Sequence, residues 1–323
     1  MGGDPMALHP DIRPIVDALR NVPAAEDGND ESNVVRRRTA MNAMTENTFL
    51  SVSAAGPRMT KEVTHIIAVP RGEIRVRAYY PRSDGPLPAF VSIHGGGWWL
   101  GNIDLYNHSC RATAAATDAA VFAVGYRLAP EHRFPTAAED CYAALCWVAA
   151  NADTIGIDPA RIAVGGGSAG GNLAAVVALM ARDREGPALR AQILDIPVTD
   201  LTMSTPSITS NGTGYMLTRI GMEECRAFYA PDPADWTNPY ASPLLATDHA
   251  NLPPACITTC EYDPLRDEGE RYGAALVAAG VPVLMQRALG HIHGSHHMVK
   301  LATDAAVYDR RAHAFLHQHL HED

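Results

Sequence analysis

The stretch that decides the fold is Ile162-Ala-Val-Gly-Gly-Gly-Ser-Ala-Gly-Gly-Asn-Leu-Ala-Ala-Val-Val-Ala-Leu-Met180. It begins with a β-branched apolar run, typical of a buried strand, and ends with alanine-rich sequence, typical of a helix packed on a sheet. Between them, residues 166–170 fit G-x-S-x-G, the sharp turn that exposes a serine at the top of an α/β sheet. Gly166 and Gly170 leave room for such a turn. Ser168 is therefore a candidate nucleophile.

The pentapeptide alone leaves two other interpretations open. A glycine-rich turn between a strand and a helix can also bind phosphate, but a Walker loop needs a lysine before its Ser or Thr, and none is present. Residues 165–170 do satisfy the G-x-G-x-x-G spacing of a dinucleotide-binding turn. A dinucleotide-binding turn is expected near the first strand. The motifs in the rest of the chain therefore determine which interpretation of residues 165–170 holds.

Composition narrows the classes of function. The chain has 323 residues and a net charge of −10, which argues against binding nucleic acid or an anionic membrane. No apolar run is long enough to span a membrane, and the first residues lack the pattern of a signal peptide. The six cysteines form no C-x-x-C pair, so we expect free thiols and a cytoplasmic protein.

Hydrophobic patterning predicts an α/β fold. Two strand candidates joined by a tight turn come first, and from residue 89 onwards strands and helices alternate, which predicts a mostly parallel sheet with helices on both faces. The predicted strands are 62–69, 74–80, 89–93, 120–124, 161–164, 191–196, 255–259 and 282–287. The predicted helices are 12–20, 33–47, 105–117, 136–150, 219–229, 267–279 and 298–319, together with the helix after Ser168.

Two stretches interrupt this rhythm. Residues 1–55 precede the first strand and contain helical patterns, and residues 197–250 are rich in Pro, Asn, Ser and Thr without a strand signal. A strandless segment of that length predicts an inserted lid rather than a loop. We therefore expect a core made of residues 56–196 and 251–323, covered by the other two segments.

A glycine run offers a partner for the nucleophile. His94-Gly95-Gly96-Gly97 follows the strand 89–93, and glycines there let main-chain N–H groups approach a ligand closely. An oxyanion hole needs such donors, each worth about 3 to 4 kcal/mol in the transition state. We expect His94 to be structural, holding the loop by hydrogen bonds.

An acid and a base follow later strands. Asp263 comes after the strand 255–259 and is the candidate acid, with Glu261 as a rival. His293, followed by Gly294, comes after the strand 282–287 and is the candidate base. Since parallel strands end at one edge of a sheet, Ser168, Asp263 and His293 should meet there.

The histidines near the C-terminus leave alternatives. His291, His296 and His297 could replace His293 as the base, and the group could in principle bind a metal, as could His313 and His317 at i,i+4 spacing. No H-E-x-x-H motif supports this. We therefore expect neither a metal nor any other cofactor.

Together these pieces resemble the bacterial hormone-sensitive-lipase family of esterases, a group of α/β-hydrolases with a helical cap. The resemblance implies Ser168 as nucleophile, Asp263 as acid and His293 as base, with oxyanion donors from the backbones of three residues. Those three are Gly96, Gly97 and Ala169. The matching motifs are His94-Gly-Gly-Gly-Trp98, Tyr126-Arg-Leu-Ala-Pro-Glu-His132, Gly167-Ser-Ala-Gly-Gly171, Asn238-Pro-Tyr-Ala-Ser-Pro243, Asp263-Pro-Leu-Arg-Asp-Glu-Gly269 and His293-Gly294.

Two positions depart from the family pattern. The family usually has Asp or Thr immediately before the nucleophile, where this chain has Gly167. It favours an aromatic residue after His-Gly, where this chain has Ser295. The first departure could loosen the turn or widen the pocket, and the second changes the loop directly after the candidate base.

The expected function is hydrolysis of small-molecule esters with short to medium acyl chains, through an acyl-enzyme. Trp98, Tyr215 and Phe228 are candidate pocket walls. An amidase or deacetylase with the same triad is an alternative, as is a non-catalytic small-molecule-binding protein on the same fold. The strand 282–287 near the sheet edge could pair two chains, so a homodimer is possible.

Overall fold

The glycine-rich stretch forms a strand, a turn and a helix, as the sequence predicts. In the computed structural model, which describes residues 8–20, 33–53, 55–82 and 84–322, strand β5 (Ile157–Gly167) ends directly before Ser168. Helix α6 (Ala169–Asp183) begins directly after it. Strand β5 is longer than the predicted 161–164 and lies between two parallel neighbours. Ser168 therefore stands near the middle of the sheet, at its carboxyl edge.

One sheet of eight strands organises the described residues, in the order β1-β2-β4-β3-β5-β6-β7-β8. The first two strands form the predicted antiparallel hairpin, and β2 pairs with β4 in the antiparallel sense. All later pairings are parallel, as the alternating pattern predicts. Besides β5, the strands are β1 (Lys61–Val69), β2 (Gly72–Tyr80), β3 (Leu87–Ile93), β4 (Ala120–Gly125), β6 (Ala191–Asp195), β7 (Ala255–Tyr262) and β8 (Val283–Ile292).

Helices cover both faces of this sheet. Helices α3 (Asn107–Thr117) and α10 (Ala305–His321) lie together on one face, where Leu316 and Leu320 are buried in one cluster with Phe90. Helices α4 (Thr136–Ala150) and α6 belong to the larger cluster, and the short helix α5 (Ala152–Ile155) leads into β5. Burial on both faces explains why the central strands are apolar at nearly every position.

The segments outside the βα rhythm are helical. Helices α1 (Arg13–Arg20) and α2 (Val34–Val52) precede the sheet, and α7 (Pro206–Ser210) and α8 (Arg219–Tyr229) lie between β6 and β7. No strand lies between residues 196 and 254, as predicted. The division into cap and core at the stated boundaries stays a prediction.

The last helix begins later than predicted. The sequence suggested a helix over 298–319, but α10 starts at Ala305. The N–H of Lys300 donates to the carbonyl of Val52 in α2, 3.0 Å away, and the preceding residues close turns around Ser295. These contacts with other parts of the chain outweigh the local helical pattern of residues 298–304.

The cysteine prediction is confirmed, because all six thiols are free. Four of them are buried and two are half-buried. Within the described ranges, no helix has the length and apolar character needed to cross a membrane.

A buried acid joins helix α9 (Arg266–Ala278) to the segment after β6. Glu268 is fully buried, and its Oε1 accepts hydrogen bonds from the N–H groups of Thr199 (2.7 Å) and Asp200 (3.2 Å). Burial raises the pKa of Glu268 well above its ordinary value. The folded protein therefore holds a proton on this carboxyl that the unfolded chain releases near its ordinary pKa.

This proton makes stability depend on pH. Below the ordinary glutamate pKa both states are protonated, so burial of the group carries no ionisation penalty. As the pH rises from there, the unfolded chain loses the proton first, and the free energy of unfolding falls by up to about 1.4 kcal/mol per pH unit. Glu268→Gln cannot ionise at this position. We therefore expect its free energy of unfolding to increase relative to that of the wild type as the pH rises from 5 to 8.

Urea denaturation at several pH values measures this difference. Glu270→Gln is the control, because it removes a carboxylate from the same helix at a partly exposed position paired with Arg287. Parallel pH curves for the wild type and Glu268→Gln would contradict the buried-proton explanation.

Candidate active site

Ser168 has the strained backbone expected of a nucleophile at this turn. Its φ of 56° and ψ of −119° fall in a region that non-glycine residues rarely adopt. The turn also presses against β3, since a Cβ on Gly170 would lie 2.1 Å from the carbonyl oxygen of Ile93, and one on Gly166 would lie 2.2 Å from it. Both positions therefore require glycine, for the reason inferred from the sequence.

The structure brings the three candidate catalytic side chains together. His293 Nδ1 lies 2.7 Å from Asp263 Oδ2, and His293 Nε2 lies 3.2 Å from Ser168 Oγ. Asp263 follows β7 directly, and His293 follows β8 directly. The geometry is that of a hydrogen-bonded nucleophile, base and acid at the carboxyl edge of the sheet.

The candidate acid and the candidate base are each fixed by their own loops. Asp263 is buried, and its Oδ1 accepts a hydrogen bond from the N–H of Leu265 at 2.9 Å. After His293, Gly294 adopts a φ of 77°, which makes a tight turn. The hydroxyl of Ser295 closes this turn, accepting from the N–H of Ile292 and donating to its carbonyl, both at 3.0 Å. Ser295 thus has a structural role of its own at the position where the family favours an aromatic residue.

The rivals considered from the sequence are engaged elsewhere. Glu261 Oε2 accepts the N–H of Gly290 at 2.7 Å. His291 is buried, with its Nε2 3.1 Å from Asp304 Oδ1. His296 and His297 both face Asp195. The geometry therefore favours Asp263 and His293 over these alternatives.

The glycine loop, residues 95–97, lies directly against the turn at residues 166–170 that carries Ser168, the nucleophile turn. A Cβ on Gly95 would lie 2.7 Å from the carbonyl oxygen of Gly167, while Gly96 and Gly97 have φ values of 116° and 57°. These backbone conformations favour glycine and place the loop beside Ser168, at the start of α6. The donor roles of Gly96, Gly97 and Ala169 stay a prediction, which this placement supports.

His94 has the structural position that the sequence suggested. It is buried and stacks on Tyr126, with ring centroids 4.2 Å apart, and its Nδ1 lies 2.8 Å from the carbonyl oxygen of Gly95. The hydroxyl of Tyr126 donates to the His94 carbonyl at 3.1 Å. Burial lowers the pKa of His94 to about 4, so the ring is neutral near pH 7.

The candidate pocket walls differ in exposure. Trp98 and Phe228 are each only 2% exposed; Trp98 stacks on Tyr229, and Phe228 packs edge-on against Trp99. These two side chains offer a substrate little surface. Tyr215 is partly exposed and contacts Tyr262, so it stays a candidate.

Sequence reasoning missed Asp195 at the end of β6. Its carbonyl accepts the N–H of Ser168 at 2.8 Å, and its carboxylate lies 2.7 Å from His296 Nε2 and 2.6 Å from His297 Nε2. A Cβ on Gly167 would lie 3.4 Å from Asp195 Oδ2. Burial alone would raise the pKa of Asp195, but the two imidazoles hold it below its ordinary range. A carboxylate from β6 therefore occupies the space beside Gly167, where the family usually has a side chain.

Comparisons with known proteins agree with this fold. A family model described as the alpha/beta hydrolase fold matches residues 90–297. The chain is 41% identical over 298 residues to carboxylic ester hydrolase LipN of Mycobacterium tuberculosis, covering 90% of this chain and 77% of that protein. It is 40% identical over 222 residues to an arylesterase of Saccharolobus solfataricus, covering 68% and 72%.

A solved structure is similar along almost the whole chain. A hyperthermophilic esterase from the archaeon Pyrobaculum calidifontis has a TM-score of 0.89 and 39% sequence identity, covering 97% of this chain and 99% of that chain. Fold, motifs and relatives therefore agree. The chain belongs to the α/β-hydrolase fold family, within the bacterial hormone-sensitive-lipase group that its motifs indicate.

Proposed function

We propose that this protein is a serine carboxylesterase that hydrolyses esters with short to medium acyl chains, using Ser168, His293 and Asp263. The observation that carries the proposal is the hydrogen-bonded chain from Asp263 Oδ2 through His293 to Ser168 Oγ, with steps of 2.7 and 3.2 Å. Relatives named as ester hydrolases at about 40% identity support the reaction class.

The first half of the reaction acylates the enzyme. Ser168 Oγ attacks the ester carbonyl carbon while His293 Nε2 takes the hydroxyl proton. Asp263 accepts the N–H at Nδ1, which fixes the tautomer that leaves Nε2 free to act as the base. Negative charge develops on the carbonyl oxygen, where the N–H groups of Gly96, Gly97 and Ala169 would stabilise it. The N-terminus of α6 adds a favourable dipole.

The tetrahedral intermediate then collapses. The bond to the alcohol oxygen breaks, and His293 returns the proton to that oxygen, so that the alcohol leaves and an acyl group remains on Ser168. In the second half, water gives its proton to His293 and attacks the acyl carbonyl. The released carboxylic acid carries the water oxygen, and Ser168 recovers its hydroxyl proton.

Ser168→Ala tests the nucleophile. The variant lacks the attacking oxygen, so hydrolysis of p-nitrophenyl esters should fall by about a million-fold in kcat, the loss measured for a missing serine nucleophile in another hydrolase. Assays from acetyl to palmitoyl esters would show wild-type activity concentrated at short chains. Wild-type levels of hydrolysis by a folded Ser168→Ala protein would refute the assignment. Comparing the rate of hydrolysis of a p-nitrophenyl ester with that of the p-nitroanilide of the same acid distinguishes an esterase from an amidase.

Asp263→Asn tests the acid against its rival. The amide cannot hold His293 in the required tautomer, so kcat should fall by about 10⁴-fold with little change in structure, the loss seen for the same change in a serine protease. Glu261→Gln is the matched control, because Glu261 bonds to Gly290 rather than to His293. Similar losses of kcat in Asp263→Asn and Glu261→Gln would show that the 2.7 Å contact between Asp263 Oδ2 and His293 Nδ1 is not what orients the base.

The assembly and the cellular location are also proposals. Strand β8 lies at the edge of the sheet, and Leu284, Met285 and Leu289 on it are exposed. Among the described residues no further strand pairs with the outer edge of β8, and such an edge suits pairing with a second copy of the chain, so a molar mass near twice 34.6 kDa is expected in solution by light scattering. A single-chain mass at micromolar concentration would contradict the dimer.

The six free thiols support the cytoplasmic location.

A further inference from the structure

Three potential metal ligands meet behind the nucleophile turn, outside the triad. One ligand atom each from Asp195, His296 and His297 lies within 4.8 Å of the other two. The sequence shows only the two adjacent histidines, while the carboxylate comes from β6, about a hundred residues earlier. Two imidazoles and one carboxylate form a donor set that suits zinc and related divalent ions.

The remaining ring nitrogens are already oriented by other groups. His297 Nδ1 lies 3.0 Å from Asp309 Oδ1 on α10, and His296 Nδ1 lies 3.2 Å from Cys260 Sγ on β7. Both Nε2 atoms consequently point at Asp195. A carboxylate that accepts the second N–H of a ligating histidine is the usual outer partner at zinc sites, because it fixes the ring and increases its basicity.

The site also has room and favourable charge. All three residues line a cavity of about 440 Å³ between the sheet and helices α3 and α10. The cavity is large enough to hold a water molecule as an additional ligand. Asp195 and Asp309 contribute two carboxylates within the network, which matches the charge of a divalent cation.

We propose that Asp195, His296 and His297 bind one zinc-class divalent cation, with a fourth position open to this cavity. Zinc–ligand bonds of about 2.0 to 2.2 Å in tetrahedral geometry put neighbouring ligand atoms about 3.3 Å apart. The two imidazoles contact different carboxylate oxygens, with His296 Nε2 2.7 Å from Oδ1 and His297 Nε2 2.6 Å from Oδ2 of Asp195. Each ring must therefore move about 0.6 Å away from the oxygen it contacts as the metal replaces the shared protons. The side chain of His297 is 38% exposed and has space to move.

The cation would stabilise structure and take no part in ester hydrolysis. Its ligands belong to β6 and to the turn that follows His293, and the carbonyl of Asp195 holds the N–H of Ser168. A bound ion would therefore link these two segments behind the nucleophile turn. Because it binds the folded state alone, it would also raise the melting temperature.

Titration of metal-stripped protein with zinc chloride tests the site. Isothermal titration calorimetry should show about one equivalent of zinc bound per chain, and the bound zinc should raise the melting temperature of the protein. Binding of Co²⁺ in place of zinc should give the intense visible absorption of a four-coordinate site. Asp195→Asn and His297→Gln should each weaken zinc binding at least tenfold, and Asp309→Asn should weaken it about tenfold by releasing His297. Ser168→Ala should bind zinc like the wild type, which separates this proposal from the proposed function.

His317→Gln is the matched control for incidental binding to other histidines, because His317 belongs to a different histidine pair, stacked on His321 in α10, and is not among the three residues that meet at the proposed site. It should leave the zinc affinity unchanged. The proposal is overturned if the wild-type protein binds no zinc, or if His297→Gln and Asp309→Asn bind it as tightly as the wild type. Should Asp195→Asn fail to fold, these two variants at less buried positions still decide the question.

Discussion

The close approach of two backbone segments beneath Ser168 is the constraint on which the site depends. Gly166 and Gly170 bring the turn so near the carbonyl of Ile93 that any side chain at either position would overlap with it. This contact holds Ser168 in a strained conformation and brings the glycine loop after β3 against the same turn. The candidate nucleophile and its candidate oxyanion donors are thus positioned by one set of packed glycines.

The parts of the fold set by local pattern could be predicted from the sequence. Apolar strands, alanine-rich helices and glycine-rich turns recur along the chain, and their alternation requires a parallel sheet whose carboxyl ends share an edge. Ser168, Asp263 and His293 each follow a strand, so their meeting follows from topology before any side-chain distance is known. The structure places them within hydrogen-bonding distance.

Features that depend on contacts between distant residues could not be predicted. Helix α10 begins at Ala305 because the preceding turn is held by α2, which no local pattern reveals. Trp98 is nearly covered by its stacking on Tyr229, although its place beside the glycine loop suggested a pocket wall. Asp195 looked like an ordinary residue at a strand end, and only the sheet order brings it to His296 and His297.

The most direct test of the account is to find which residue becomes covalently modified. Diethyl p-nitrophenyl phosphate reacts with an activated serine and leaves a stable phosphoryl group in place of the acyl group. We expect that one equivalent of p-nitrophenolate is released, that activity is lost in proportion, and that peptide mass spectrometry finds the single adduct on Ser168. An adduct on another residue that accompanies the loss of activity, or full ester hydrolysis by protein modified at Ser168, would contradict it.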